Sequence, residues 1–267
     1  MINTVRHLAY KLKSSEKELF AIINNIDDHY TYKQVPKTKY GAFQFEHNDI
    51  RMRDLYITYG PLKRIQQNIN LLLQKTQLPY YAFGSVKGKN NILNAREHIG
   101  NKHFLSVDLK DFFTNIRHRQ VFQMFIREKF SPTTARILTQ LTTYQGKLQQ
   151  GPPSSPIISN LVFLDTGYLL QDLARAYNIT FTTYLDDLQF SSKKDFKPLI
   201  HDILTIVKAG SFYLHHKKIK YQTKDPEVTG VMVRKNKVEP HKKIIQKAKG
   251  NPYMSGYMKN FDNYCSY

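Results

Sequence analysis

Tyr184-Leu185-Asp186-Asp187 sets two adjacent carboxylates between short runs with strand character, Ile179–Thr183 and Leu188–Ser191. Side chains alternate along a strand, so neighbouring Asp residues reach one site together only near a turn. A β-hairpin with the pair at its tip meets that condition. Two anionic oxygen donors suit Mg²⁺, which takes carboxylates, water and phosphate oxygens. A third carboxylate, Asp108, ends the compact strand Phe104-Leu105-Ser106-Val107, 78 residues before Asp186. Carboxylates converging from separate segments on a metal pair about 3.5–4 Å apart perform phosphoryl transfer. Taken alone, Asp-Asp is equally an ordinary turn sequence, because Asp favours turns for local backbone reasons. Spacing by itself leaves both readings open.

The rest of the chain must fold to position these groups. Its 267 residues suffice for one large domain or two or three lobes. Hydrophobic residues make up 41%, and aromatics 13%, from 18 Tyr and 16 Phe without a Trp. Forty basic residues against 21 acidic ones give +19, which favours a polyanionic partner, nucleic acid or an anionic membrane surface. No apolar run reaches the roughly 18 residues of a membrane span, and Met1–His7 lacks the pattern of a secretion signal. The single cysteine, Cys265, excludes an internal disulfide and a thiolate metal cluster. A reduced, cytoplasmic setting fits.

Residues 4–26 read as two short helices, Ser15 and Glu18 having capping-box spacing ahead of Leu19, Ile22, Ile23 and Ile26. Between 30 and 55, Tyr30, Tyr32, Tyr40, Phe43 and Phe45 alternate with polar residues, punctuated by Pro36 and Gly41, as in strands or hairpins. For Lys33, Lys37, Lys39, Arg51 and Arg53 on them, a solvated surface is the simpler account. Gly60-Pro61 opens a helix whose Leu62, Ile65, Ile69, Leu72 and Leu73 form a core stripe. Tyr80–Leu93 reads as a loop or short hairpin, and His98, alone, as a helix-surface or core-edge histidine. Residues 118–143 look helical. Gln149–Pro156 breaks regular structure, and a long helix resumes over Ile157–Leu173. Such a loop exposes N–H groups to a phosphate or sugar, and serves equally as a plain linker. A helix spans Phe196–Ala209. Residues 193–249 hold 15 Lys and Arg against five Asp and Glu, more than half of the chain's excess charge. Tyr253, Tyr257, Phe261, Tyr264 and Tyr267 follow at helix-like spacing and read as packing residues.

From roughly Lys33 to Gly230 the chain resembles reverse transcriptases, and among them the retron class. Tyr184–Asp187 matches the family's Tyr-x-Asp-Asp box, and Phe104–Phe113 resembles the strand box with the first metal-binding Asp. The resemblance implies a right-hand polymerase of the α+β class. Fingers would run over residues 1–103, a palm of antiparallel sheet packed on helices over 104–232, and a short basic thumb over 233–267. Asp108, Asp186 and Asp187 would be catalytic and hold two Mg²⁺ ions, with Mn²⁺ as a substitute. Phe113 falls where the family places the gate against a ribose 2′-hydroxyl. Leu148–Asn160 is similar to the box lining the nucleotide pocket through Gln150 and Gly151, with Gln149 where Pro is usual. Arg53, followed by Leu55, Leu62-Lys63 and Ile65-Gln66, resembles the triphosphate-binding fingers motif, Thr58 replacing the usual proline. Lys37 resembles its accompanying lysine. Lys218 aligns with the palm lysine proposed to protonate pyrophosphate, with His215 or His216 where Asn is common.

Asn94-Ala95-x-x-His98 and Val228-Thr229-Gly230 resemble two boxes particular to retrons. They imply RNA contacts by Asn94, His98, Val228, Thr229 and Gly230, joined by Lys242 and Lys243 of the basic C-terminal third. The implied substrates are dNTPs and a cognate non-coding RNA, partly copied from a guanosine 2′-hydroxyl into branched DNA. An effector protein of an antiphage defence system is the implied partner, with no membrane. An abortive-infection or untemplated reverse transcriptase is the nearest alternative, and both boxes argue against it. A non-catalytic RNA-binding derivative has no need of three anions beside phosphate. A basic membrane-surface protein lacks an anchor helix or lipidation motif.

Overall fold

A computed structural model describes residues 2–39, 42–46, 48–248, 256–259 and 261; Tyr40, Gly41, Tyr253, Tyr264, Cys265 and Tyr267 lie outside them. The chain folds as two units, each built from two stretches: Met1–Leu78 with Asp111–Phe163, and Pro79–Lys110 with Leu164–Tyr267. The division of the sequence at residues 103 and 232 is linear, whereas each unit is discontinuous.

In the first unit, helices begin where the sequence supplies acceptors for their unpaired N–H groups. The side chain of Thr4 accepts from His7 N–H at the start of Val5–Lys11, and that of Ser15 from Glu18 N–H at the start of Glu16–Asn24. These helices pack with Gly60–Leu73 and Pro132–Thr142. Leu8, Leu19, Leu62, Ile65, Ile69, Leu138 and Leu141 are completely buried there. Region 118–143 is two helices, His118–Arg127 and Pro132–Thr142, interrupted at Lys129, whose φ is 65°.

From this helical base rises an arm, Tyr30–Pro36 paired antiparallel with Met52–Thr58. Only its base pair, Tyr30 opposite Thr58, is buried, and the remaining positions are exposed or half-buried. Buried Gln66 holds that base: its Oε1 accepts from the Thr58 hydroxyl at 2.9 Å, and its Nε2 donates to Leu141 C=O at 2.9 Å and to Tyr30 Oη at 3.3 Å. Past the arm's outer end lie two short pairs, Thr38–Lys39 with Ala42–Phe43 and Phe45–Glu46 with Asp49–Ile50.

The second unit is organised on an antiparallel sheet in the order Thr180–Tyr184, Asp187–Ser192, His103–Asp108, Lys220–Gln222. Its register divides the side chains between two faces. Phe181, Leu188, Phe190, Leu105 and Val107 form a buried apolar cluster on one face, flanked there by Thr183, Ser192, His103 and Tyr221, with Phe181 and Phe190 stacked at 4.7 Å. The other face carries Asp108, Ser106, Asp187, Gln189, Ser191, Thr180 and Thr182. Away from the carboxylates that face meets the helix Asn91–Arg96 and a small sheet of Glu227–Val228, Val231–Val233 and Val238–Pro240. Phe104 shares their core of Ile92, Ala95, Val228, Val231, Val233 and Val238.

Tyr80–Leu93 is a loop rather than a hairpin. Ala82 bridges Thr183 in parallel, Phe83 N–H donates to Thr183 C=O at 2.9 Å, and a helix begins at Asn91. The helix after the Gly/Pro/Ser loop runs 22 residues, Ser155–Ala176, and Ile200–Ala209 follows the sheet hairpin. Among the described residues no helix is long and apolar enough to cross a membrane.

Candidate active site

Thr180–Tyr184 and Asp187–Ser192 form a hairpin closed by two residues, Leu185 and Asp186, with Tyr184 opposite Asp187. Leu185 has φ 57°, a left-handed conformation that a branched aliphatic side chain rarely adopts. Backbone of this kind persists where its surroundings fix it, and it collects at functional sites. Gly84 is part of that fixation. A Cβ there would lie 2.6 Å from Leu185 N, so only glycine lets the 81–84 segment pass against the turn.

The neighbouring strand brings the third carboxylate. Asp187 is the register partner of Asp108, and Leu109 N–H donates to Asp186 C=O at 2.9 Å. Asp108 and Asp187 therefore occupy a non-hydrogen-bonded pair, whose Cβ atoms stand about 4.5–5.5 Å apart on one face. Lys218, on a short turn whose neighbour His215 donates to Asp108 C=O at 2.9 Å, places Nζ 2.8 Å from Asp108 Oδ2. Asp108 is 16% exposed and Lys218 43%, so the ion pair is open to solvent. Burial raises the Tyr184 hydroxyl above its ordinary pKa. Three carboxylates on facing backbone positions are a hard-oxygen donor set that fits a divalent ion such as Mg²⁺. Their side chains do not form a closed ligand cluster, and no group of three such ligands does among the described residues.

In the first unit, Tyr56 N–H of the arm donates to Gln150 C=O at 2.9 Å. Gly151, at φ 123°, approaches so closely that a Cβ would stand 2.7 Å from Tyr56 O. The Gln150-Gly151 dipeptide is thus clamped edge-on to the strand that carries Arg53, three positions before Tyr56. Gln149, standing where the family pattern has proline, instead donates from Nε2 to Tyr144 C=O at 2.8 Å. Gln149 Oε1, Ser154 Oγ and Ser155 Oγ are buried without a hydrogen-bond partner among the described residues. Arg53 is exposed opposite Val35, and Lys37 is half-buried, its N–H donating to Arg51 C=O at 2.7 Å. Phe113 lies half-buried on the short helix Phe112–Asn115, which follows Asp111 at φ 48°.

The two boxes expected to contact RNA meet each other through Asn94 and Thr229. Asn94, His98 and Val228 are completely buried. Val228 packs in the apolar core shared with Phe104. Asn94 Nδ2 donates to Thr229 Oγ1 at 3.3 Å, and Asn91 Nδ2 to Thr229 C=O at 3.2 Å. Thr229 and Gly230, at φ 46° and 84°, form the two-residue turn between Val228 and Val231, with both residues left-handed. A β-branched residue is strained there, and the Asn91 and Asn94 contacts offset that strain. His98 sits between Ser191 Oγ at 2.7 Å and Thr182 Oγ1 at 2.8 Å, and Asn101 Nδ2 also reaches Ser191 Oγ at 2.7 Å. Burial pushes the His98 imidazole down to about 3, so it is neutral. Lys242 and Lys243 are exposed on the first turn of Lys242–Ala248. Gln66 and Gly84 shape the site's surroundings without having stood out as positioning residues. Gln66 is marked in the sequence as a polar residue inside an apolar helical stripe, whereas Gly84, 96 residues before the strand it packs against, carries no local signal.

Residues 35–236 match the family described as reverse transcriptase (RNA-dependent DNA polymerase). The chain is 30% identical over 206 residues to the retron Ec86 reverse transcriptase of Escherichia coli, covering 74% of this chain and 64% of that protein. It is 31% identical over 145 residues to the retron Se72 reverse transcriptase of Salmonella heidelberg, covering 54% and 38%. It therefore spans less than two thirds of either relative's length. A solved structure of telomerase from Candida albicans, in complex with a fragment of telomeric RNA, has the same fold with a TM-score of 0.56 at 11% identity. That likeness covers 84% of this chain and 51% of the other. The chain belongs to the reverse transcriptase (RNA-dependent DNA polymerase) family, with the retron-type members as its relatives.

Proposed function

We propose that this protein is a retron reverse transcriptase, an RNA-directed DNA polymerase. The carrying observation is the register that sets Asp187 opposite Asp108 with Asp186 at the adjoining turn. In this reading the three carboxylates hold two Mg²⁺ ions, or Mn²⁺ in their place. The metals would activate a terminal hydroxyl and offset charge on departing pyrophosphate. Lys218, 2.8 Å from Asp108, is the candidate to protonate departing pyrophosphate. Arg53 and Lys37 on the arm engage the triphosphate. Gln150 and Gly151 line the nascent pair. Phe113 excludes a ribose 2′-hydroxyl.

The fingers, palm and thumb would span 1–103, 104–232 and 233–267. The substrates are dNTPs and a cognate structured RNA, copied in part from a guanosine 2′-hydroxyl into branched single-stranded DNA. The setting is a cytoplasmic antiphage system with an effector protein. Excess positive charge supports an RNA partner. Asn91 and Asn94 act on RNA through the Thr229 turn they hold. Asp186→Ala combined with Asp187→Ala should abolish dNTP incorporation and leave RNA binding intact. Polymerisation by the purified double variant refutes the metal assignment. Phe113→Ala should admit ribonucleotides, and unchanged rNTP-against-dNTP discrimination rejects the gate.

A further inference from the structure

We propose that the end of the central sheet remote from the carboxylates is a docking surface for a double-stranded RNA stem. The inference rests on the reading of the chain as an RNA-binding polymerase, and names a second place where that RNA is held. His103 and Asp108 are the two ends of one strand, about 17 Å apart at roughly 3.3 Å per residue. At the His103 end, several chain segments bring lysines together. Lys102 N–H donates to Ser192 C=O at 3.0 Å, and Lys193 and Lys194 follow directly. Gln222 pairs with Phe104, so Lys224 emerges at the same end. A Cβ on Gly100 would lie 3.9 Å from Lys235 O, which brings the turn of the small sheet alongside.

Lys102, Lys193, Lys194, Lys224 and Lys235 are all exposed and have no ion-pair partner among the described residues. The nearby acids are already committed. Asp195 accepts from the Tyr221 hydroxyl and from Lys197 N–H, which hold its carboxyl below the usual range. Asp225 pairs with Arg234 at 2.5 Å, and Glu239 with Arg234 at 3.0 Å and Lys237 at 2.8 Å. Five exposed lysines thus stand together at this end without an ion-pair partner among the described residues. Lysines are point charges that contact phosphates without reading bases. Single-strand readers stack successive bases on several rings. Among the described residues this end offers one exposed ring, Tyr177, beside Asn178, whose C=O accepts from Ser192 Oγ at 3.2 Å. Five exposed lysines from several chain segments, with one exposed ring among the described residues, make a surface for the regular phosphate rows of a duplex.

The test is equilibrium binding of a synthetic RNA hairpin, and of single-stranded RNA of equal length, to the full chain and to a variant with all five lysines changed to Gln. Hairpin affinity should fall at least about tenfold, and the slope of log affinity against log salt should shrink by roughly three to five. Single-strand affinity should change much less, and dNTP incorporation on a short pre-annealed primer–template should not change. An unchanged hairpin affinity and slope, or an equal loss for the single strand, overturns the proposal. If the parent chain incorporates no dNTP while hairpin binding still depends on these lysines, the polymerase reading fails and the docking surface stands.

Discussion

The arm of the first unit and the central sheet of the second are both antiparallel, and both present candidate site residues. They are fixed by opposite means. Phe181, Leu188, Phe190, Leu105 and Val107 are all buried on one face of the sheet, so a slip of one position would drive Phe190 and Leu188 to the polar side. That cost locks the register, and with it the opposition of Asp187 and Asp108. The arm has no such face. Its seven pairs are bound by ladder hydrogen bonds, and only the innermost pair is buried. The sheet presents its carboxylates from a rigid support, whereas the arm carries Arg53 and Lys37 on a lever whose direction is set at its root.

The largest expected effect tests that contrast directly. Phe190→Ala should destabilise the second unit by about 3–5 kcal/mol, through lost burial and the cavity left beside Phe181. Ile57→Ala on the arm, at a position 38% exposed, should cost less than about 0.5 kcal/mol. Amide hydrogen exchange of the central sheet and of the arm reads both. A comparable loss at the two positions would remove the distinction.

The same contrast explains what could be read in advance. Strand-formers flanking Tyr184–Asp187 betrayed the hairpin, because burial of one face enforces a period of two. The helical stripe at Leu62, Ile65 and Ile69 was equally plain. His98 was harder. A histidine alone in a helix-to-strand connection gives no hint that two hydroxyls, from Thr182 and Ser191, wait for it 84 and 93 residues on. Asn94 and Thr229 look like ligand-binding residues in one dimension and prove to contact each other in three. A local pattern records which groups are polar, and tertiary packing decides whether they meet solvent, RNA or one another.

Gln66 carries the next prediction. Gln66→Leu preserves size but leaves the Thr58 hydroxyl and Leu141 C=O without their partner, at a cost of about 1–3 kcal/mol. If the arm's root directs Arg53 and Lys37, KM for dNTP should rise several-fold more than kcat falls, with primer–template affinity unchanged. Lost stability with an unaltered KM would leave Gln66 a packing residue, and the lever without its hinge.

The sheet has its own buried polar lock in His98, and the two locks differ in one respect that can be measured. An amide does not titrate; an imidazole does. Burial holds His98 at about 3 against an ordinary 6.5, so the unfolded chain takes up a proton near pH 6.5 that the folded chain refuses until about pH 3. The stability due to neutral His98 is thus complete above about pH 6.5. It is lost as the pH falls, at about 1.4 kcal/mol per unit. Between pH 7 and pH 5 the second unit should lose about 2 kcal/mol on that slope. Carboxylates held below their ordinary values, such as Asp195 and Glu239, titrate beneath this window. In the first unit His118 is also shifted down by partial burial, but its position is exposed. His98→Gln, which keeps hydrogen-bonding capacity and cannot take the proton, should flatten the acid sensitivity of hydrogen exchange at Leu188 and Phe190 while leaving that of the arm alone. An unchanged acid slope in this variant would mean that the buried imidazole does not set the sheet's pH response, and that sheet and arm are locked by equivalent chemistry.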